Sequence, residues 1–87
     1  MKFLQKDELY SCIGENIKYY RNRAGLTQMQ LAQKAQISIS YLSKLEAAGC
    51  SKSVSISVLN HIASALEVDI REFFSIRKEK NHGKTSK

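Results

Sequence analysis

A chain of 87 residues, 43% hydrophobic and 25% charged, suffices for one compact domain with a small core and is too short for two. Its two cysteines form neither a C-x-x-C pair nor a framework dense enough to staple a fold, and no apolar run approaches a membrane span. A disulfide scaffold, a secreted protein and a membrane protein are therefore set aside in favour of a cytoplasmic one. The net charge of +6 is unevenly spread: residues 1–15 carry −1, 16–52 carry +5, 53–76 carry −2 and 77–87 carry +4. A basic centre beside an acidic segment suits a face that meets a polyanion, although an unevenly charged, merely solvated surface has the same composition.

Ile13, Ile17, Tyr20 and Ala24 recur at intervals of three or four and so share one helical face, with Asp7 or Ser11 as the start and Gly25 as the stop. Four further helix starts follow one scheme: an aliphatic residue, a capping residue, and a large apolar residue four positions after the cap. They are Leu26-Thr27 with Leu31, Ile37-Ser38 with Leu42, Val54-Ser55 with Leu59, and Val68-Asp69 with Phe73. Each is a hydrophobic staple around an N-cap; Thr27 with Gln30 and Asp69 with Glu72 also have capping-box spacing. Five helices are predicted, with no strand alternation.

Only Gln36 and Ile37 separate Ala35, near the end of the second helix, from Ser38, the cap of the third. So short a link makes two helices cross steeply while staying packed, the geometry of a helix-turn-helix. Leu31, Ala32 and Ala35 are placed to meet Leu42 and Leu45 across the turn. On the third helix, Leu42 and Leu45 face the core while Ser40, Ser43, Lys44 and Ala47 cluster opposite, with Ile39 at the boundary. That outward set is small and polar with one long cation, which allows close approach to a groove floor and supplies groups for base edges and phosphates. A solvated helix face is the bland alternative; the surrounding basic charge argues against it. In the fourth helix Leu59, Ile62, Ala63 and Leu66 form an apolar stripe, and Asn60, His61 and Ser64 turn away. The fifth offers Ile70, Phe73 and Phe74, after which residues 77–87 lose all apolar pattern and read as a flexible basic tail.

Ile17-Lys18, Arg21, Gly25-Leu26-Thr27-Gln28, Leu31-Ala32, Ile37-Ser38, Tyr41-Leu42-Ser43-Lys44-Leu45-Glu46 and the stretch from Leu59 to Leu66 together resemble the Cro and repressor-type (XRE-like) helix-turn-helix proteins of bacteria and phages. The resemblance implies an all-α, compact, five-helix lambda-repressor-like domain over residues 13–76, with the motif at about 28–47, residues 1–12 as an N-terminal extension and 77–87 as the tail. It implies a homodimer on a pseudo-palindromic double-stranded operator, with half-sites roughly 34 Å apart. By position, Ile39, Ser40 and Lys44 match base-reading residues, with Tyr41 and Ser43 beside them and Ser38 at the helix start. Gln28 matches a phosphate contact at a helix amino end. Arg21 and Glu46 match an internal ion pair; Glu46 falls toward the core on the helical wheel, where a carboxylate requires a cation. Arg23 and Lys52 are possible phosphate contacts. Two departures stand out: Gln36 occupies a position that is commonly glycine, and the link 47–54 is longer than usual and lacks its proline.

A zinc site would need Cys12, Cys50, His61 and His82 to converge without any pair at ligand spacing, and no oxyanion or phosphate-cradling loop accompanies a Cys-His pair. Neither a cofactor nor catalysis is expected. Phe73 and Phe74 cannot both be fully covered by so small a core, so one is a candidate for a dimer interface or for partial burial beneath the basic tail. Two functions remain: a sequence-specific transcriptional repressor or controller, and a protein-interaction module, such as an antitoxin bound to a toxin, with DNA contact secondary.

Overall fold

A computed structural model describes residues 6–47 and 54–76, with side chains from Glu8 onward. The described residues form four α-helices: α1 (Lys6–Arg23), α2 (Gln28–Ala35), α3 (Ile39–Glu46) and α4 (Ile56–Leu66). The expected fifth helix is a five-residue 3-10 turn, Ile70–Phe74. It is too short for an α-helical ladder, and its cap departs from the expected box. Asp69 accepts from the Arg71 amide at 2.8 Å, whereas Glu72 accepts from the Tyr20 hydroxyl at 3.0 Å. The Arg71 side chain also bonds the Asp69 carboxylate, and these contacts hold the Asp69 carboxyl below its ordinary range.

The other starts form as local chemistry dictates. Thr27 accepts from the Gln30 amide at 3.0 Å and its own amide donates to Gln30 Oε1 at 2.8 Å, so two otherwise orphaned donors are satisfied reciprocally. Ser38 accepts from the Tyr41 amide and Ser55 from the Val58 amide, each at 3.0 Å. α1 starts earlier than either expected cap: Asp7 and Ser11 both lie inside it. The helix therefore crosses the boundary expected between residues 12 and 13, and Leu9 and Tyr10 pack against the core.

The helix ends share a device. After α1, α2 and α4 comes one residue in the left-handed conformation, Gly25 (φ 76°), Gln36 (φ 61°) and Glu67 (φ 59°). The next residue, Leu26, Ile37 or Val68, donates its amide back to Arg21, Ala32 or Ala63, the pattern of a Schellman closure. Each of those three aliphatics rests partly buried on the core.

The core joins Ile13 and Ile17 of α1, Leu31, Ala32 and Ala35 of α2, Leu42 and Leu45 of α3, Leu59, Ile62, Ala63 and Leu66 of α4, and Phe73. Phe73 is fully buried while Phe74 is 40% exposed, which settles which aromatic the core covers. α3 lies against both α1 and α2, and α2 also lies against α4. Among the described residues no helix is long and apolar enough to cross a membrane.

Candidate nucleic-acid interface

α3 is held from behind at its C-terminal turn. Arg21 Nε donates to Glu46 Oε2 at 2.7 Å and Nη2 to Oε1 at 3.0 Å, while Nη1 donates to the Leu26 carbonyl at 2.8 Å. Only 11% of the arginine side chain and 3% of the glutamate side chain remain exposed. A planar guanidinium that meets a carboxylate through two bonds fixes orientation as well as distance, so the pair clamps the end of α3 to α1. Gly14 makes the same contact closer: a Cβ placed there would land on the Leu45 carbonyl oxygen. Only a glycine allows the two backbones to approach this far.

The opposite face of α3 is open. Ile39, Ser40, Ser43, Lys44 and the capping residue Ala47 are all exposed, as is Ser38 at the start, whereas Leu42, Leu45 and Glu46 are buried. Tyr41 is intermediate, its ring packed against the core. Ser40, Ser43, Lys44 and Ala47 thus share the outer side of α3, with Ile39 at its edge and Ser38 exposed at the amino end as the cap. Gln28 adjoins them and is bonded at both ends of its amide: Nε2 donates to Glu46 Oε1 at 3.0 Å, and Oε1 accepts from Ser43 Oγ at 2.8 Å. Its side chain is a tie between α2 and α3, and its position at the first turn of α2 leaves the helix amino end beside it. Arg23 is exposed at the end of α1, 6.0 Å from the Tyr19 ring centroid. Lys52 and Cys50 lie outside the described residues, as do His82 and the tail.

Two residues that matter to this arrangement carried no sequence signal. Gly14 sits in the middle of a helical stretch, where glycine gives no hint of its partner. Asn16 reads as one of the polar positions of α1, yet it is fully buried and donates from Nδ2 to the carbonyls of Phe73 and Ser75 at 2.9 and 2.7 Å. It fastens the end of the 3-10 turn to α1, together with the Cys12 thiol, which donates to the Ser75 carbonyl at 3.2 Å.

A helix with a buried edge, a rigid attachment at one end and a small polar outer face is suited to lie in a groove. Known proteins carry the same frame. A family model for helix-turn-helix domains (HTH_3) matches residues 17–73. The HTH-type transcriptional regulator SlrR of Bacillus subtilis is 40% identical over 62 residues, which is 71% of this chain and 40% of that protein. SinR of Bacillus licheniformis, also named an HTH-type transcriptional regulator, is 33% identical over 67 residues, 77% of this chain and 60% of that one. The match thus spans less than two thirds of the length of each of these relatives. Among solved structures, the restriction-modification controller protein C.AhdI from Aeromonas hydrophila superposes with a TM-score of 0.69 at 28% identity, covering 75% of this chain and 96% of that one. With the matched segment running from the buried Ile17 of α1 to the buried phenylalanine of the 3-10 turn, this chain belongs to the helix-turn-helix family.

Proposed function

We propose that the protein is a DNA-binding transcriptional regulator that seats α3 in the major groove. The observation that carries this reading is the outer face of α3, where Ser40, Ser43 and Lys44 are exposed on the side opposite Leu42 and Leu45, with Ile39 exposed at its edge. Short side chains let the backbone approach the groove floor, and Lys44 is long enough to reach guanine acceptors or a phosphate. Ser38, whose oxygen already accepts from the Tyr41 amide, still has a proton to donate to a phosphate. Ser40 and Tyr41 flank the path, Gln28 stands at the amino end of α2, and Arg23 and Lys52 supply charge for backbone contacts. The binding unit is the domain at 13–76, acting as a homodimer on a pseudo-palindromic site. Exposed Phe74 and Ile76 offer apolar surface for the second copy. The names of SlrR, SinR and C.AhdI support the regulatory role.

The test is a titration of labelled duplexes with the wild-type protein and Lys44→Ala. If Lys44 reads guanine, affinity for the preferred sequence falls by ~1 to 3 kcal/mol and the preference at one base pair changes. If it touches phosphate, all sequences weaken alike. Identical binding by the two proteins would remove Lys44 from the interface and count against the assigned face.

A further inference from the structure

We propose that Ser43 works in the groove purely as a hydrogen-bond acceptor, selecting base pairs that turn an exocyclic amino group, adenine N6 or cytosine N4, toward its oxygen. The inference rests on α3 being the helix that reads DNA, and it begins two helices away. Arg21 grips both carboxylate oxygens of Glu46. A carboxylate in that pair can only accept, so the Gln28 amide must present its NH2 group to Glu46 Oε1, at 3.0 Å. The carbonyl end of Gln28 then points at Ser43, 2.8 Å from Oγ, and a carbonyl can only accept. The one hydroxyl proton of Ser43 is thereby directed inward.

What an exposed Ser43 offers outward is a pair of lone pairs. A serine in a groove is ordinarily ambiguous, because its hydroxyl donates to N7, O6 or O4 as readily as it accepts from an amino group. Here the ambiguity is removed by a relay of fixed polarity, from guanidinium to carboxylate to amide to hydroxyl. Phosphate oxygens are excluded as partners on the same ground, since they too only accept. Each base pair carries its amino group at a different lateral place in the major groove, so an acceptor held at one place discriminates among pairs. Gln28 is then a positioning residue that sets which way the hydroxyl is polarised.

The full chain would first select binding sites from a library of randomised duplexes, as wild type, Ser43→Ala and Gln28→Met. Gln28→Met leaves the two arginine bonds to Glu46 in place; it removes the acceptor that holds the serine proton together with the Gln28 donor to Glu46 Oε1. Wild type is expected to show one position whose preference Ser43→Ala erases, with the favoured pair carrying an adenine or cytosine amino group there. Replacing that base by its des-amino analogue, purine or 2-pyrimidinone, should weaken wild type by about two- to tenfold and leave Ser43→Ala unaffected. Gln28→Met should admit acceptor-bearing pairs at that position while other positions keep their preference. The proposal is overturned if Ser43→Ala erases no preference, or if the erased one favours guanine O6, thymine O4 or purine N7. A wild-type protein that enriches no sequence at all would instead overturn the groove reading of α3 on which the proposal stands.

Discussion

Arg21 and Glu46 each sit where a lone charge would be intolerable, and each is the other's remedy. With the glutamate side chain only 3% exposed, removing the guanidinium leaves a carboxylate to which, among the described residues, only Gln28 donates. Breaking a buried pair from one side costs about 3 to 5 kcal/mol, most of it from the stranded charge. Arg21→Met is therefore expected to lower the melting temperature by more than 10 °C, since about 1 kcal/mol moves a domain of this size by about 4 to 8 °C. Arg21→Met combined with Glu46→Met removes both charges and should recover most of that loss, giving a clear non-additive cycle in thermal unfolding. Two single variants whose losses simply add would show that the pair is not coupled. Gln36 stands at the other extreme, a strained residue rather than a paired one. Its φ of 61° is left-handed, and a side chain there costs about 1 kcal/mol relative to glycine. Gln36→Gly should raise the urea midpoint by the equivalent of about 0.5 to 1 kcal/mol with an unchanged slope. Gly25, which is also left-handed, should show the opposite sign when replaced by alanine, even though the added Cβ meets nothing within 4 Å.

At the level of helices, the staples were legible because they are local: a cap and its two apolar neighbours span six residues and need no knowledge of the rest of the fold. The second role of the same aliphatics was not. Leu26, Ile37 and Val68 each close the preceding helix while opening the next, so that left-handed residue, aliphatic and cap form one three-residue joint used three times. Gly25 announces the left-handed step by its residue type, Gln36 only through the resemblance that puts glycine at its position, and Glu67 gives no sign of it. The face of α3 was readable by the same logic of period, because Leu42 and Leu45 fix the inward direction and the rest follows. Asn16 and Gly14 were unreadable because their partners are remote in sequence. The carbonyls that Asn16 binds are 57 and 59 residues away, and no periodicity carries that information. The sequence does not distinguish the 3-10 turn from a longer helix, because a cap and two phenylalanines fit either length.

Gly14 also predicts how α3 is seated. A methyl group added there collides with the Leu45 carbonyl, so α1 and α3 must move apart. Overpacking of this kind costs about 1 to 3 kcal/mol, whereas alanine in a helix interior returns only about 0.5 to 1. Gly14→Ala should therefore destabilise the protein on balance in chemical denaturation. At an exposed helical position the same change would stabilise it, so the sign of the measured change decides whether the close crossing exists.

For the molecule as a whole, charge separates structural from interfacial cations. Residues 16–52 carry +5, but Arg21 and Glu46 cancel inside the fold, leaving Lys18, Arg23, Lys34 and Lys44 exposed among the described residues. Binding to duplex DNA should then weaken steeply with salt, the logarithm of the affinity falling by about 0.9 per phosphate neutralised for each unit in the logarithm of salt concentration. In the proposed dimer, half-sites one turn of DNA apart, roughly 34 Å, would place the two α3 helices in successive major grooves. In such a dimer every phosphate contact counts twice. Arg23→Ala should flatten the salt slope by about 1.8 if both copies use Arg23, and by about 0.9 if a single copy binds. Its contact with the Tyr19 ring is exposed and contributes at most about 1 kcal/mol to folding, so the variant remains folded during the measurement. Anisotropy titrations from about 50 to 200 mM salt span the range in which these slopes separate. An unchanged slope would take Arg23 out of the interface; a change near 0.9, with one protein per duplex in sedimentation, would rule out the dimer.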